Sequence, residues 1–320
     1  MSIRTPAAMI MAALLMGGAS ATSRAQQAPP QVLDEIVVSG ERTGPGMWHV
    51  HRGAAQLWIL GSMAPLPRDI TWRSKQVEQV LISTNRVLVQ KPFDIGIARI
   101  LWILITDRHL LMIGGGKRLK DVLPADLYAR FAVLRAKYGE DPKKWERFRP
   151  LVAAAFLQQA AFHQANLSTR VDLGAAMRTL AKKHDVPVEE VKIAGVRDVL
   201  DALKTMPAAT ENACVAASLI TVENDLPRLV DRAQAWAGGN VERIAQLREP
   251  AEVDACRAAL DAGAGAADLI ARMRRTWLDA FEKYLQNDGV TVAVVNIDML
   301  LEPGGLLDEL RAKGYQIEAP

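Results

Sequence analysis

The chain has 320 residues, of which 50% are hydrophobic and 23% are charged. This composition is typical of a globular protein with a sizeable core. The formal net charge is +3, and it falls to +1 if the N-terminal segment that carries Arg4 and Arg24 is removed. So small a positive charge does not indicate a nucleic-acid partner.

Residues 1–25 have the pattern of a secretory signal peptide. Arg4 precedes the apolar residues 7–16, and the small residues after them predict cleavage after Ala21 or Ala25. A membrane anchor is the alternative, but it would need about 20 apolar residues. The most apolar later stretch, residues 95–104, is interrupted by Arg99, so we expect no transmembrane segment in the mature chain. These features predict a periplasmic protein.

Residues 26–46 form a predicted extended leader before a single domain at residues 47–320. Within the leader, the segment LDEIVVSGER at residues 33–42 is similar to the start of TonB-dependent outer-membrane receptors. That similarity raises the hypothesis that the protein is a structural partner of a TonB-dependent system. The alternative is a short extended segment without this role.

The domain begins with strands and then becomes largely helical. Alternating apolar residues predict a hairpin from strands at 47–51 and 56–60, before a helix at 69–82 and a strand at 86–89. Helices are predicted at 125–138, 152–164, 173–184, 196–203, 208–237, 241–247, 252–262 and 267–286, with a break near Pro227 and a short strand within 186–193. A buried strand at 290–297, a helix at 306–313 and a final short strand complete the domain. The order predicts the α/β class, with a mixed sheet flanked by helices and a helical insertion.

Two cysteines, Cys214 and Cys256, lie in the predicted helical region. Because disulfides persist in an oxidising compartment, these residues could bridge two helices. Two buried free thiols are the alternative.

Common catalytic and metal-binding motifs do not match this sequence. The segment Gly114-Gly115-Gly116-Lys117 lacks the first glycine and the final Ser or Thr of a phosphate-binding loop, so it is predicted to be a turn. His49 and His51 alternate on a predicted strand and would share one face, where two imidazoles could bind a metal. No Cys, Asp or Glu along that strand completes a ligand set, so we predict neither a metal nor another cofactor.

Three segments carry a family resemblance: LWILGSM at residues 57–63, residues 173–188, and residues 292–315, which contain VVNIDMLLEPGGLL at residues 294–307. Together they resemble the TraB/GumN family (TraB/PrgY/GumN), some members of which, the Tiki proteins, look like metal-dependent proteases. The resemblance implies a fold like that of erythromycin-esterase and ChaN-type proteins. It also implies a site with two Gly-x-x-His motifs and acidic residues.

The groups that such a site needs are missing here. The first motif keeps Gly61 but has Ala64 in place of histidine, and the second has Asn296 and Met299 at its two ends. The acidic positions correspond to Gln90 and Lys192. A methyl group cannot bind a metal, and a thioether sulfur suits copper(I) rather than a hydrolytic zinc ion. The resemblance therefore predicts a divergent member that has lost its metal site.

We expect a non-catalytic scaffold that binds a peptide or a cell-envelope protein. The alternative is a hydrolase with a rebuilt site, in which Ser62, Asp298 and Arg272 meet at the carboxyl ends of adjacent strands. Arg272 matches an arginine of the family, and it could equally pair within the fold.

Overall fold

The computed structural model describes residues 44–70, 75–91, 108–139, 141, 143–247 and 251–320. These residues belong to one compact unit, Glu41–Pro320. The predicted signal peptide, the TonB-like segment at 33–42 and the apolar stretch at 95–104 lie outside the described residues.

A six-stranded mixed sheet organises the unit, with the strand order β6-β4-β7-β2-β1-β8. Its strands are β1 (Met47–Arg52), β2 (Ala55–Ser62), β4 (Arg86–Gln90), β6 (Val188–Val191), β7 (Gly289–Asn296) and β8 (Gln316–Glu318). Strands β2, β7, β4 and β6 are parallel, whereas β1 runs antiparallel to both β2 and β8. A second sheet pairs only β3 (Leu66–Pro67) with β5 (Leu167–Ser168), two short strands that the sequence pattern did not predict.

Strand β7 lies at the centre of the sheet because its side chains are apolar on both faces. Five successive residues from Thr291 to Val295 are buried. Continuous burial of this kind is typical of a parallel strand that is covered on both sides. Helix α11 (Ala264–Leu285) packs on β2 and β6, and helix α5 (Leu173–Lys183) packs on β4 and β7. The predicted α/β class, with a mixed sheet flanked by helices, is confirmed.

Most of the remaining helices lie close to their predicted positions, and the short helix at Arg108–Leu111 was not predicted. The remaining helices are α1 (Lys75–Ile82), α2 (Arg108–Leu111), α3 (Ala125–Tyr138), α4 (Pro150–Gln164), α6 (Val196–Thr205), α7 (Ala208–Ile220), α8 (Leu226–Ala237), α9 (Val241–Gln246), α10 (Ala251–Ala262), α12 (Ile297–Leu301) and α13 (Leu306–Ala312). Part of the predicted helix at 69–82, residues 71–74, lies outside the described residues. Helix α12 was not predicted, since its residues follow a strand without a clear helical period.

The helical insertion has an apolar core of its own. Residues of α3, α4 and α7 form a cluster around Phe131 and Leu157, which are both fully buried, and this cluster is separate from the core around the sheet. Two apolar cores of this kind agree with a sheet domain into which helices are inserted.

A π-helical turn, Thr221–Asp225, joins α7 to α8 at the break predicted near Pro227. Proline is tolerated in the first turn of a helix because its missing N–H would have no partner there. Pro227 occupies that position in α8. The long predicted helix is thus divided into α7 and α8 by one π-helical turn, and the backbone remains helical through the junction.

A disulfide joins Cys214 of α7 to Cys256 of α10, with a sulfur–sulfur distance of 2.02 Å. The two cysteines are 42 residues apart in sequence, so the bond links α7 to α10 covalently. In the described residues, no helix combines the length and the apolar character that crossing a bilayer requires.

Candidate functional site

The carboxyl ends of four parallel strands meet at one edge of the sheet, which we call the carboxyl edge. Ser62, at the end of β2, pairs in register with Asn296, at the end of β7. Strands β4 and β6 end at Gln90 and Val191 on the same edge, and Lys192 follows directly. The structure therefore places the two motif segments and the positions of the expected acidic residues along one edge, where open α/β sheets bind their ligands.

The first segment of this edge, residues 61–64, is shaped by packing. A Cβ on Gly61 would lie 3.0 Å from the side chains of both Ile297 and Trp48, so a larger residue here would have to displace these side chains by a few tenths of an ångström. Met63 is buried in the sheet core. Ala64 precedes Pro65 through a cis peptide bond, and both residues line a cavity.

The second segment, residues 296–299, caps a helix. The side-chain oxygen of Asn296 accepts a hydrogen bond of 2.7 Å from the backbone N–H of Asp298 and so caps α12. Asp298 therefore lies in the first turn of α12, and not at the end of the strand where the sequence placed it. Met299 packs against the sheet core. The amide and thioether of this segment do not make a site for a hydrolytic metal.

The two other positions also lack a carboxylate. At Gln90, the backbone carbonyl accepts a hydrogen bond of 2.9 Å from Arg178. Lys192 is exposed, and an ammonium group would repel a cation. The residues of the carboxyl edge thus do not fit the divalent metal that the family resemblance implies.

Helix α8 covers the carboxyl edge with two side chains one turn apart. The indole Nε1 of Trp236 donates a hydrogen bond of 2.7 Å to the carbonyl oxygen of Gly61. Arg232 pairs with Asp298 at 2.5 Å, and the arginine side chain is only 11% exposed. The sequence did not predict either contact. On an amphipathic helix an Arg usually faces solvent and a Trp usually faces the core, and neither pattern indicates a specific partner.

Arg272 does not join Asp298, as the rebuilt hydrolase site would require. Its guanidinium lies 3.9 Å from Asp198 near the start of α6, and its side chain is 50% exposed. Asp298 takes Arg232 as its partner instead. The structure thus separates two members of the predicted group of Ser62, Asp298 and Arg272.

Two cavities adjoin the covered edge and share Arg232 and Leu247 in their walls. One, of about 520 Å³, is largely apolar and is lined by the Cys214–Cys256 disulfide, Ala64 and Pro65, together with Phe162 and Leu229. The other, of about 800 Å³, is charged and contains Asp298, Arg274 and Glu302. Arg274 and Glu302 pair at 2.6 Å. In such an arrangement the apolar cavity can hold an apolar side chain of a ligand, and the charged groups can orient the polar part of that ligand.

These features define an α/β protein with a mixed sheet whose carboxyl edge carries no histidine or carboxylate at residues 64, 90, 192, 296 and 299 and adjoins an apolar cavity. A model of the TraB/PrgY/gumN family matches residues 46–319, so the chain belongs to the TraB/PrgY/gumN family. No curated protein and no solved structure matches the chain.

Proposed function

We propose that this TraB/PrgY/gumN family protein is exported to the periplasm, where it binds a peptide or a cell-envelope protein without hydrolysing it. The observation that carries the proposal is the cover of helix α8 over the carboxyl edge. Trp236 donates a hydrogen bond to the Gly61 carbonyl, and Arg232 forms an ion pair with Asp298. Groups of the protein itself therefore occupy the polar atoms of this edge.

Metal-assisted hydrolysis needs ligands that hold a cation and leave one position for water. The relevant positions carry Ala64, Gln90, Lys192 and Met299. None of these side chains is an imidazole or a carboxylate, and the lysine adds a positive charge. This combination argues for loss of the family chemistry rather than for a change of metal.

The apolar cavity of about 520 Å³ supports a binding role. Its size falls in the range of sites that take small ligands or the side chains of a peptide. Arg228 and Arg232 lie in its wall and pair with Asp225 and Asp298, so apolar space adjoins charged groups that already have partners. This arrangement favours a segment with an apolar anchor. A peptide partner fits this combination better than a nucleic acid, for which the chain has no large positive charge.

Two features support export. The N-terminal pattern of residues 1–25 is that of a cleaved signal, and the Cys214–Cys256 disulfide is of a kind that persists outside the cytoplasm. N-terminal sequencing of the protein from a periplasmic fraction tests export directly. A start at residue 22 or 26 is expected, and an intact N-terminus in the cytoplasmic fraction would contradict it.

A peptide array tests binding, and mass spectrometry of the bound peptides tests whether they are hydrolysed. The mature chain is expected to retain peptides with an apolar anchor, and to leave them intact in the presence of zinc, manganese or cobalt. Ser218→Phe, which fills the cavity, should abolish binding. Val133→Phe, at a position that is 69% exposed on α3, is the matched control and should bind normally.

Cleavage of the bound peptide would overturn the proposal. If Ser62→Ala or Asp298→Asn then removed that cleavage, the hydrolase with a rebuilt site would be the correct interpretation. If no peptide bound, the cavity would have another ligand and the binding role would fail.

A further inference from the structure

Strand β8 brings a carboxylate to the two histidines of β1. His49 and His51 alternate on β1, and their side chains point to one face of the sheet. Glu318 of β8 is the register partner of His49, although the two residues are 269 positions apart in sequence. The acidic ligand that was missing along the strand therefore arrives from the neighbouring strand.

The three side chains converge at ligand distances. His49 Nδ1 lies 3.1 Å from Glu318 Oε2, and His51 Nε2 lies 3.6 Å from Glu318 Oε1. One ligand atom from each residue lies within 4.8 Å of the other two. A tetrahedral ion with bonds of about 2.0–2.2 Å to nitrogen and oxygen holds its ligand atoms roughly 3.3 Å apart. The observed spacing requires only a small movement to reach that geometry.

Packing fixes the first histidine before any ligand binds. The ring of His49 stacks on Trp58 of β2, with centroids 4.2 Å apart and planes inclined by 12°. It also stacks on His51 at 4.8 Å. The two imidazole side chains are 18% and 23% exposed, whereas Glu318 is 68% exposed. Two partly buried, oriented nitrogens and one exposed carboxylate make a site that is both preformed and open to solution.

We propose that His49, His51 and Glu318 bind a divalent transition ion of the Zn²⁺ type, with water completing the coordination. Two imidazole nitrogens and one carboxylate oxygen suit zinc, whereas Mg²⁺ and Ca²⁺ prefer oxygen ligands alone. The site goes beyond the proposed function because it lies away from the carboxyl edge. His49 pairs with Trp58, four residues before Ser62, which corresponds to about 13 Å along the strand.

Bound metal would join β8 to β1. Strand β8 has three residues and lies at the edge of the sheet, with β1 as its one neighbouring strand in the sheet. An ion shared by β1 and β8 ties that edge strand down, and binding to the folded state alone raises its stability. We infer a structural role for the ion at this edge.

Isothermal titration calorimetry with zinc chloride on the untagged mature chain tests the site. One equivalent of zinc should bind, and magnesium should not compete. Losing even an outer partner of a metal ligand costs about 10–100-fold in affinity, so His51→Ala and Glu318→Gln should each weaken binding by at least about tenfold. Glu318→Gln keeps the size of an exposed side chain, so it should leave the fold intact. His163→Ala, at an exposed position on α4, is the matched control and should bind like the wild type.

Thermal unfolding with and without zinc gives a second readout. The midpoint should rise with zinc in the wild type and in His163→Ala, and should rise less at the same zinc concentration in Glu318→Gln. Absence of zinc binding in the wild type would overturn the site, and so would zinc binding that the His49→Ala/His51→Ala double variant leaves unchanged. Peptide retention, which depends on the cavity near Ala64, should be the same in all these variants, so failure of this site is distinguishable from failure of the proposed function.

Discussion

Trp236 of α8 and Gly61 of β2 are joined by a hydrogen bond of 2.7 Å from the indole Nε1 to the backbone carbonyl, across 175 residues of sequence. The indole is 2% exposed, so water does not compete for the carbonyl. This bond covers the carboxyl edge at Gly61, the first residue of the motif in which the family resemblance implies a histidine.

The variant Trp236→Phe tests this contact. It keeps an aromatic ring but leaves the buried Gly61 carbonyl without its donor, which should cost about 1–3 kcal/mol beyond the lost packing. Trp277→Phe is the matched control, since Trp277 is 1% exposed in the same core and loses the same indole volume. Urea unfolding measures both. Equal destabilisation by the two substitutions would show that the hydrogen bond contributes nothing.

The ion pair between Arg232 and Asp298 should have a larger coupling free energy than an ion pair on the protein surface. Its arginine is 11% exposed and its carboxylate is 36% exposed, so partial desolvation strengthens the attraction. A double-mutant cycle with Arg232→Met and Asp298→Asn should give a coupling of about 1–2 kcal/mol. The pair of Arg311 and Asp308, with both side chains 53% exposed, is the control and should give about 0.5 kcal/mol or less. A coupling at Arg232 no larger than at Arg311 would contradict the prediction.

The disulfide should be a major source of stability. It closes a sequence separation of 42 residues, and the loss of such a bridge costs about 2–4 kcal/mol through the greater freedom of the unfolded chain. Cys214→Ala/Cys256→Ala should therefore unfold at a lower denaturant concentration than the oxidised wild type. The reduced wild type should unfold close to the double variant. If oxidised and reduced wild type unfolded together, the bridge would have no stabilising role.

Stability should depend on Glu189 in mildly acidic solution. The hydrogen bond from Tyr284 is the main cause that lowers the pKa of Glu189, and Lys283 adds to it at 3.1 Å. Because the folded pKa lies below the unfolded value of 4.5, the stabilisation is present above that pH and is lost as pH falls through the folded pKa. The side chain is 42% exposed, so solvent screening limits the effect to about 1 kcal/mol or less at pH 7.

Glu189→Gln should accordingly be less stable than the wild type at pH 7, and the difference should shrink below about pH 4.5. Urea unfolding from pH 7 to pH 3 measures it. Tyr284→Phe should show a similar convergence, because it removes the main cause of the shift. A difference that stays constant over this range would show that the Glu189 carboxylate is not stabilised in the folded state.

Much of the fold could be predicted from local pattern. Helix α3 begins and ends at Ala125 and Tyr138 as predicted, since Pro124, the stripe through Phe131 and Gly139 are all local signals. Strand β7 was predicted because a continuous β-branched run suits burial on both faces. The short helix α12 was not predicted, because it depends on the cap that Asn296 provides after a strand.

The sequence by itself determined the class of fold, the order of its main elements and the absence of histidine at residues 64 and 299, since these depend on residue type and short-range periodicity. Only the tertiary structure decided which charged groups meet. Arg232 rather than Arg272 pairs with Asp298, and Glu318 reaches His49 from the other end of the chain. Such partners lie tens to hundreds of residues apart in sequence, and the register of strands and the packing of helices bring them together. No local pattern encodes that register, because it follows from burying all the apolar faces at once.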